Sequence, residues 1–113
     1  MVPLGLKSRQ WIVDEKGDII IGEGRMEILK NIQKTGSINK TAKKMKMSYK
    51  AVWSKIKATE NTMRIKIVQA DKKRGSWLTE EGKDLLEKYA VLKDRCQMAE
   101  DEIFQTIFKS YLG

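Results

Sequence analysis

Short apolar runs alternate with helical stripes along this chain, and each change of rhythm marks a new element. Gln10-Trp11-Ile12-Val13 and Asp18-Ile19-Ile20-Ile21 flank Asp14-Glu15-Lys16-Gly17, a stretch with turn chemistry, so residues 8–22 predict a β-hairpin. Trp11 is expected to cover the core. Gly22-Glu23-Gly24 reads as a flexible joint, and Met26, Ile28, Leu29 and Ile32 then supply the stripe of a helix over Arg25–Thr35 that Gly36 ends. Ser37 is placed to cap a second helix running to about Met45, with Ile38, Ala42 and Met45 on one side. Ser48 caps a third, to about Met63, with Ala51, Val52, Ile56, Thr59 and Met63 inward. Two short helices around a tight bend, with small residues where they meet, have the form of a helix-turn-helix.

Beyond it the pattern returns to a hairpin, Ile67–Ala70 against Ser76–Leu78, with Asp71-Lys72-Lys73-Arg74-Gly75 as its tip. Thr79 caps a last helix, helped by Glu80 and Glu81 in its first turn, that is expected to reach about Tyr111. Along it Leu85, Tyr89, Leu92, Cys96, Ala99, Ile103 and either Thr106 or Ile107 alternate spacings of four and three, a heptad seam suited to pairing with a second copy. Folding back onto its own core would account for Leu85 to Leu92, but not for Ile103, Phe104, Ile107, Phe108 and Tyr111. The predicted fold is mainly α with small β: a winged helix-turn-helix over residues 24–79. An N-terminal β-hairpin over 1–23 precedes it, and a long dimerisation helix over 80–113 follows.

Charge sharpens the picture. Lys34, Lys40, Lys43, Lys44, Lys46, Lys50, Lys55 and Lys57 have no acid among them, although like charges on one helix face repel. A polyanion supplies the missing countercharge; the plainer alternative is a solvated lysine-rich face. The net charge is +8, yet residues 79–113 hold eight acids against five bases, so they carry −3 and the rest of the chain +11. That points to nucleic acid at the helix-turn-helix and wing. No stretch approaches the roughly 20 apolar residues a membrane span requires. Residues 1–5 have neither the basic nor the apolar region of a signal peptide. The expected location is cytoplasmic, on the nucleoid.

With no histidine and a single cysteine, the usual zinc sites and histidine-dependent triads cannot be assembled, and no cofactor or enzymatic activity is expected. Cys96 falls in an apolar stripe and reads as a buried thiol in a reducing cytosol.

In a helix-turn-helix the second helix crosses the DNA backbone and the third enters the major groove. Ser37 either caps, touches phosphate, or does both, while Asn39, Lys40 and Lys43 lie on the phosphate side. On the third helix Ser48, Tyr49, Lys50, Ser54 and Lys57 are the DNA-facing candidates. Lys50 suits guanine O6 or N7, Ser54 a base edge or phosphate, and Tyr49 a phosphate or a thymine methyl. Trp53 either packs against its neighbours or joins them on the DNA. Lys55 is better placed for the backbone. Lys72, Lys73 and Arg74 cluster at the wing tip with no evident intramolecular reason, and Arg74 suits a narrow minor groove.

The segment GSINKTAKKMKMSYKAVWSKIKATEN resembles the DNA-binding domain of ModE-type, molybdate-responsive regulators and, more distantly, of LysR-type regulators. Gly36-Ser37-Ile38, Ala42, Ser48-Tyr49-Lys50, Ala51 and Trp53 carry the resemblance, and Leu78-Thr79-x-x-Gly82 adds to it; it extends from about Gly24 to about Tyr89. It implies a winged helix-turn-helix in a homodimeric transcriptional regulator of double-stranded DNA, and repression of genes for molybdate or related oxyanion transport. The predicted N-terminal hairpin departs from the helical start of several ModE-type proteins, and the wing is shorter than theirs. Molybdate binding does not carry over, because nothing after Tyr111 can form that site, and the residues assign no effector. Two other classes remain open: a protein-interaction module docking through its long helix, and a non-specific architectural DNA binder.

Overall fold

A computed structural model describes residues 2–112. Hydroxyl side chains start three of its helices. Ser37 Oγ accepts the Lys40 amide (3.1 Å) and opens α2 (Ile38–Lys44), and Ser48 Oγ accepts that of Ala51 (3.0 Å) and opens α3 (Tyr49–Met63). Thr79 Oγ1 accepts that of Gly82 (3.0 Å) and opens α4 (Glu80–Ile107). Each bond satisfies one of the donors that a helix N-terminus leaves unpaired.

The first helix, α1 (Glu23–Thr35), begins two residues earlier than predicted. Gly22 and Gly24 are therefore no joint: Gly22 is the N-cap and Gly24 lies in the first turn. Glu23 explains the difference. Its carboxylate favours the positive helix end and is held by Lys93 at 2.8 Å and Arg9 at 3.9 Å. The predicted stop holds: Gly36 takes the left-handed conformation (φ 68°) and donates its amide to the Ile32 carbonyl.

Two separate antiparallel hairpins complete the fold. In the first, β1 (Ile12–Val13) pairs with β2 (Ile19–Ile21) around Asp14, whose Oδ1 accepts the amides of Lys16 and Asp18. Arg25 fastens this hairpin to the helices. Its guanidinium donates to the Ile19 and Ile20 carbonyls and to Thr59 Oγ1, and the Thr59 hydroxyl donates to the Ile20 carbonyl. Trp11 does less than expected: it lies against Gly22 but remains 53% exposed, and Ile21 is the residue that enters the core. The second hairpin pairs β3 (Val68–Asp71) with β4 (Gly75–Leu78), with Val68 opposite Leu78 and Gln69 opposite Trp77.

The core joins Ile28, Leu29 and Ile32 of α1, Ile38 and Ala42 of α2, Val52 and Ile56 of α3, and Ile67, Val68 and Leu78 around the wing. From α4 come Leu86 and Tyr89. Tyr89 is wholly buried and donates its hydroxyl to the Gln10 carbonyl at 2.6 Å. Its assignment to a dimer seam is therefore corrected: the ring is already enclosed by its own protomer. Leu85, partly buried against the same core, is largely used there too.

Past that point α4 keeps two ties to the rest of the chain, Lys93 to Glu23 and Glu100 to the Ser8 hydroxyl, and only its distal end projects free of the body. Its 28 residues span about 42 Å and set the molecule's 59 Å long axis. Ile103 (58%) and Ile107 (69%) are exposed. The helix stops at Ile107 rather than Tyr111, and a 3-10 turn, Lys109–Tyr111, follows. Phe108 packs there between Phe104 and Tyr111, with ring centroids 5.0 and 5.6 Å away.

Candidate nucleic-acid interface

The bend between α2 and α3 is made by Lys46, which adopts a left-handed conformation (φ 56°), while Met47 returns its amide to the Ala42 carbonyl at 2.9 Å. Met45 and Met47 pack against the core on either side, so the Lys46 side chain is left in solvent. The predicted face of α3 holds where it matters: Val52, Ile56 and Thr59 are buried, and Ala51 and Met63 partly so.

Lys50, Ser54 and Asn61 are exposed and follow one another at helical spacing on the face turned from the core. Asn61 is absent from the sequence-derived set, though its spacing of seven from Ser54 marks it. Tyr49 and Trp53 form a neighbouring stack, centroids 6.5 Å apart and planes 17° apart. Trp53 is partly buried against the core, which favours its packing role. Lys55 lies apart from this row, in a groove with Trp11, Arg25 and Met47 on the flank facing the N-terminal hairpin.

Lys40, Lys43, Lys44, Lys46, Lys50 and Lys55 are exposed, and among the described residues none of them takes part in an ion pair. Lys57 differs. Its ammonium lies 3.1 Å from Glu60 Oε1 and 4.5 Å from the Trp53 ring centroid. The acid that balances it stands just beyond the acid-free stretch. Ser37 and Ser48 both act as caps, and Asn39 is exposed beside Lys40.

At the wing tip Lys72 and Lys73 are exposed and unpaired among the described residues, but Arg74 is not. Its guanidinium is 3.4 Å from Asp71 Oδ2 and 5.4 Å from the Trp77 ring centroid. The expectation that all three tip cations lack an intramolecular reason to cluster fails for Arg74. Asp71 organises the turn: its Oδ1 accepts the amides of Lys73 (2.7 Å) and Arg74 (3.3 Å), and these bonds hold its pKa below the usual carboxylate value.

Three connections fix the wing relative to the helices. Glu60 Oε2 accepts the amides of Ile67 (2.8 Å) and Val68 (3.2 Å). Burial disfavours the Glu60 charge, but these two amides and Lys57 outweigh it, and the pKa lies below the ordinary value. The Ser76 amide donates to the Gly36 carbonyl. At the wing's exit Thr79 donates its amide to Ile67 and its hydroxyl to Lys66, and Gly82 lies so close to the Ile67 carbonyl that a Cβ would collide with it.

Among the described residues no group of three or more acidic, cysteine or histidine side chains could hold a metal ion. No helix among the described residues is long and apolar enough to cross a membrane.

The molybdenum transport protein ModE of Azotobacter vinelandii is 28% identical over a 91-residue alignment that covers 77% of this chain and 34% of that protein. The chain thus spans about a third of the length of this relative. Among solved structures, that of a CbnR_DBD–DNA complex superposes with a TM-score of 0.61 at 17% identity, over 74% of this chain and 95% of that one. The LysR family transcriptional regulator VV2_1132 gives 0.57 at 17% identity, over 74% of this chain and 28% of that one. Fold and family are those of regulator DNA-binding domains rather than of enzymes. Residues 24–83, more than half of the sequence, match the model of the bacterial regulatory helix-turn-helix proteins of the LysR family, and the chain belongs to that family.

Proposed function

We propose that the chain binds double-stranded DNA sequence-specifically as a homodimer and regulates transcription. In this reading α3 lies in the major groove, the wing tip of Lys72, Lys73 and Arg74 meets the minor groove, and Ser37, Asn39, Lys40 and Lys43 face phosphates. One observation carries the proposal: Lys50 and Ser54 are exposed on α3, and Lys40, Lys43, Lys44, Lys46 and Lys50 are exposed and take part in no ion pair among the described residues. Lys50 offers a donor to guanine, Ser54 and Asn61 read either edge, and Tyr49 offers an apolar ring and a hydroxyl. The DNA-bound state of the CbnR_DBD structure, and the regulatory role in VV2_1132's name, agree with it.

The dimer would form along the distal part of α4 through Leu92, Cys96, Ala99, Ile103 and Ile107. Of these Leu92, Ile103 and Ile107 are large and exposed in one protomer. Pairing there sets two reading helices about 34 Å apart, one turn of duplex. Residues 24–79 then form the reading unit, and the part of α4 beyond Tyr89 the dimerisation helix.

Fluorescence anisotropy tests the reading. DNA from upstream of this protein's own gene is titrated against a shuffled duplex of equal length, at low and near-physiological salt. A preference of about 1,000-fold surviving the higher salt is expected. Equal affinities for every duplex, including pools from random-sequence selection, would make the protein a non-specific binder. No binding even at low salt would leave partner docking as its role.

A further inference from the structure

We infer that Lys57 is a positioning residue of the interface and not one of its phosphate contacts, its pairing with Glu60 setting the angle between α3 and the wing. The inference deepens the DNA-binding proposal and rests on it. Lys57 belongs by sequence to the basic stretch, but among the described residues it is the one lysine there whose cation has an acid partner. That partner is nearly buried: the Glu60 side chain is 8% exposed and that of Lys57 35%.

A contiguous set of contacts runs down this flank. Tyr49 stacks on Trp53, Lys57 covers the Trp53 ring, and Lys57 binds one oxygen of Glu60. The other oxygen holds the amides of Ile67 and Val68, where the wing begins. Moving Lys57 to a phosphate would remove the only cation paired with a nearly buried carboxylate, a costly exchange in low dielectric. It would also uncover the Trp53 face. Lys43 and Lys50 reach phosphate or base with nothing to give up. The contact set further ties the Tyr49 and Trp53 rings of α3 to the wing's first strand, so loosening it lets wing and reading helix shift relative to one another.

Each phosphate contact contributes about 0.9 to the slope of log K against log salt, which makes the slope a count of contacts. The slope is measured on upstream and shuffled duplexes for the unmodified chain, Lys43→Gln, Lys57→Met and Glu60→Gln. In a homodimer each substitution acts twice, so Lys43→Gln is expected to lower it by about 1.8, and Lys57→Met to leave it unchanged. Glu60→Gln keeps an acceptor for the Ile67 amide but frees Lys57. It is expected to raise the slope by about 1.8 on both duplexes and to narrow the preference between them.

A loss of about 1.8 in Lys57→Met would overturn the inference. So would a Glu60→Gln protein with the unmodified slope and preference. An unmodified chain that binds both duplexes equally sinks the sequence-specific reading instead, while the slopes still judge Lys57. Thermal unfolding of the two single variants and the double variant needs no DNA. Non-additive Tm shifts are expected, and additive ones would refute the pairing.

Discussion

Ser76 donates its backbone amide to the carbonyl of Gly36 across 2.8 Å, joining the wing to the bend between α1 and α2. The residue before it, Gly75, is constrained twice. Its φ is +85°, and a Cβ there would strike that same Gly36 oxygen. Gly75→Ala is therefore expected to destabilise the protein by about 2 kcal/mol or more, lowering Tm by roughly 8 °C. Gln69→Ala, exposed on the same hairpin, serves as the control in the same urea or thermal titration and should change little.

Lys50 and Lys43 should separate base reading from phosphate binding. Lys50→Ala is expected to relax base preference at one position of each half-site, by about 1–3 kcal/mol. Lys43→Ala should weaken binding to every duplex about equally. Competition anisotropy across single-base variants of the bound site distinguishes the two. A changed base preference in Lys43→Ala would mean that the faces of α2 and α3 are wrongly assigned.

Acid should act through Glu60. Its folded pKa lies below the ordinary 4.5, so the charged form contributes stability that is complete above about pH 4.5 and is lost as pH falls through the folded value. Glu23, lowered by its bond to Lys93, and Asp71, lowered by the Lys73 and Arg74 amides, work in the same direction. Between roughly pH 5 and pH 3 the unfolding midpoint of the unmodified protein should fall more steeply than that of Glu60→Gln. Parallel curves would show that Glu60 is not the group responsible.

Tyr89→Phe removes the hydroxyl that holds Gln10 without altering the packing of the ring. A cost of about 1 kcal/mol is expected. Because that bond ties the N-terminal arm to α4, the arm should also be cut sooner by trypsin, at Lys7 and Arg9. Mass spectrometry of the first fragments reads this directly.

Ile103 and Ile107 test the pairing of α4. The unmodified chain should sediment at twice its 13.0 kDa mass, and Ile103→Lys with Ile107→Lys at 13.0 kDa, with an unchanged far-UV spectrum. A double variant that remains dimeric would place the interface elsewhere.

Most of this fold can be read from local chemistry. Ser37, Ser48 and Thr79 announce helix starts, Gly36 announces a stop, and the alternation around Asp71–Gly75 announces the wing; all act within a few residues. Two of the expectations that fail depend on distant partners. Glu23 starts α1 early because Lys93, seventy residues on, sits beside it. Tyr89 fits a heptad by spacing, yet the Gln10 carbonyl and the core enclose it. Lys57 and Arg74 look uncompensated until Glu60 and Asp71 are seen three residues away on the same side. Asn61 was within reach of periodicity alone, as the next exposed position on the row of Ser54.

The extension of α4 away from the body has an electrical consequence. Its acids, Glu100, Asp101 and Glu102 among them, lie far along the helix, while the lysines of α2, α3 and the wing tip gather on the body. Residues 90–113 hold four acids against three bases, a net −1, so the +9 of the remaining residues sits toward the body end of the 59 Å axis. In the field of a polyanion such a molecule experiences a torque as well as a pull, and it rotates its basic end forward before any contact is made. Encounters then begin from a narrowed range of orientations. Adding salt slows association by weakening that alignment as well as the attraction.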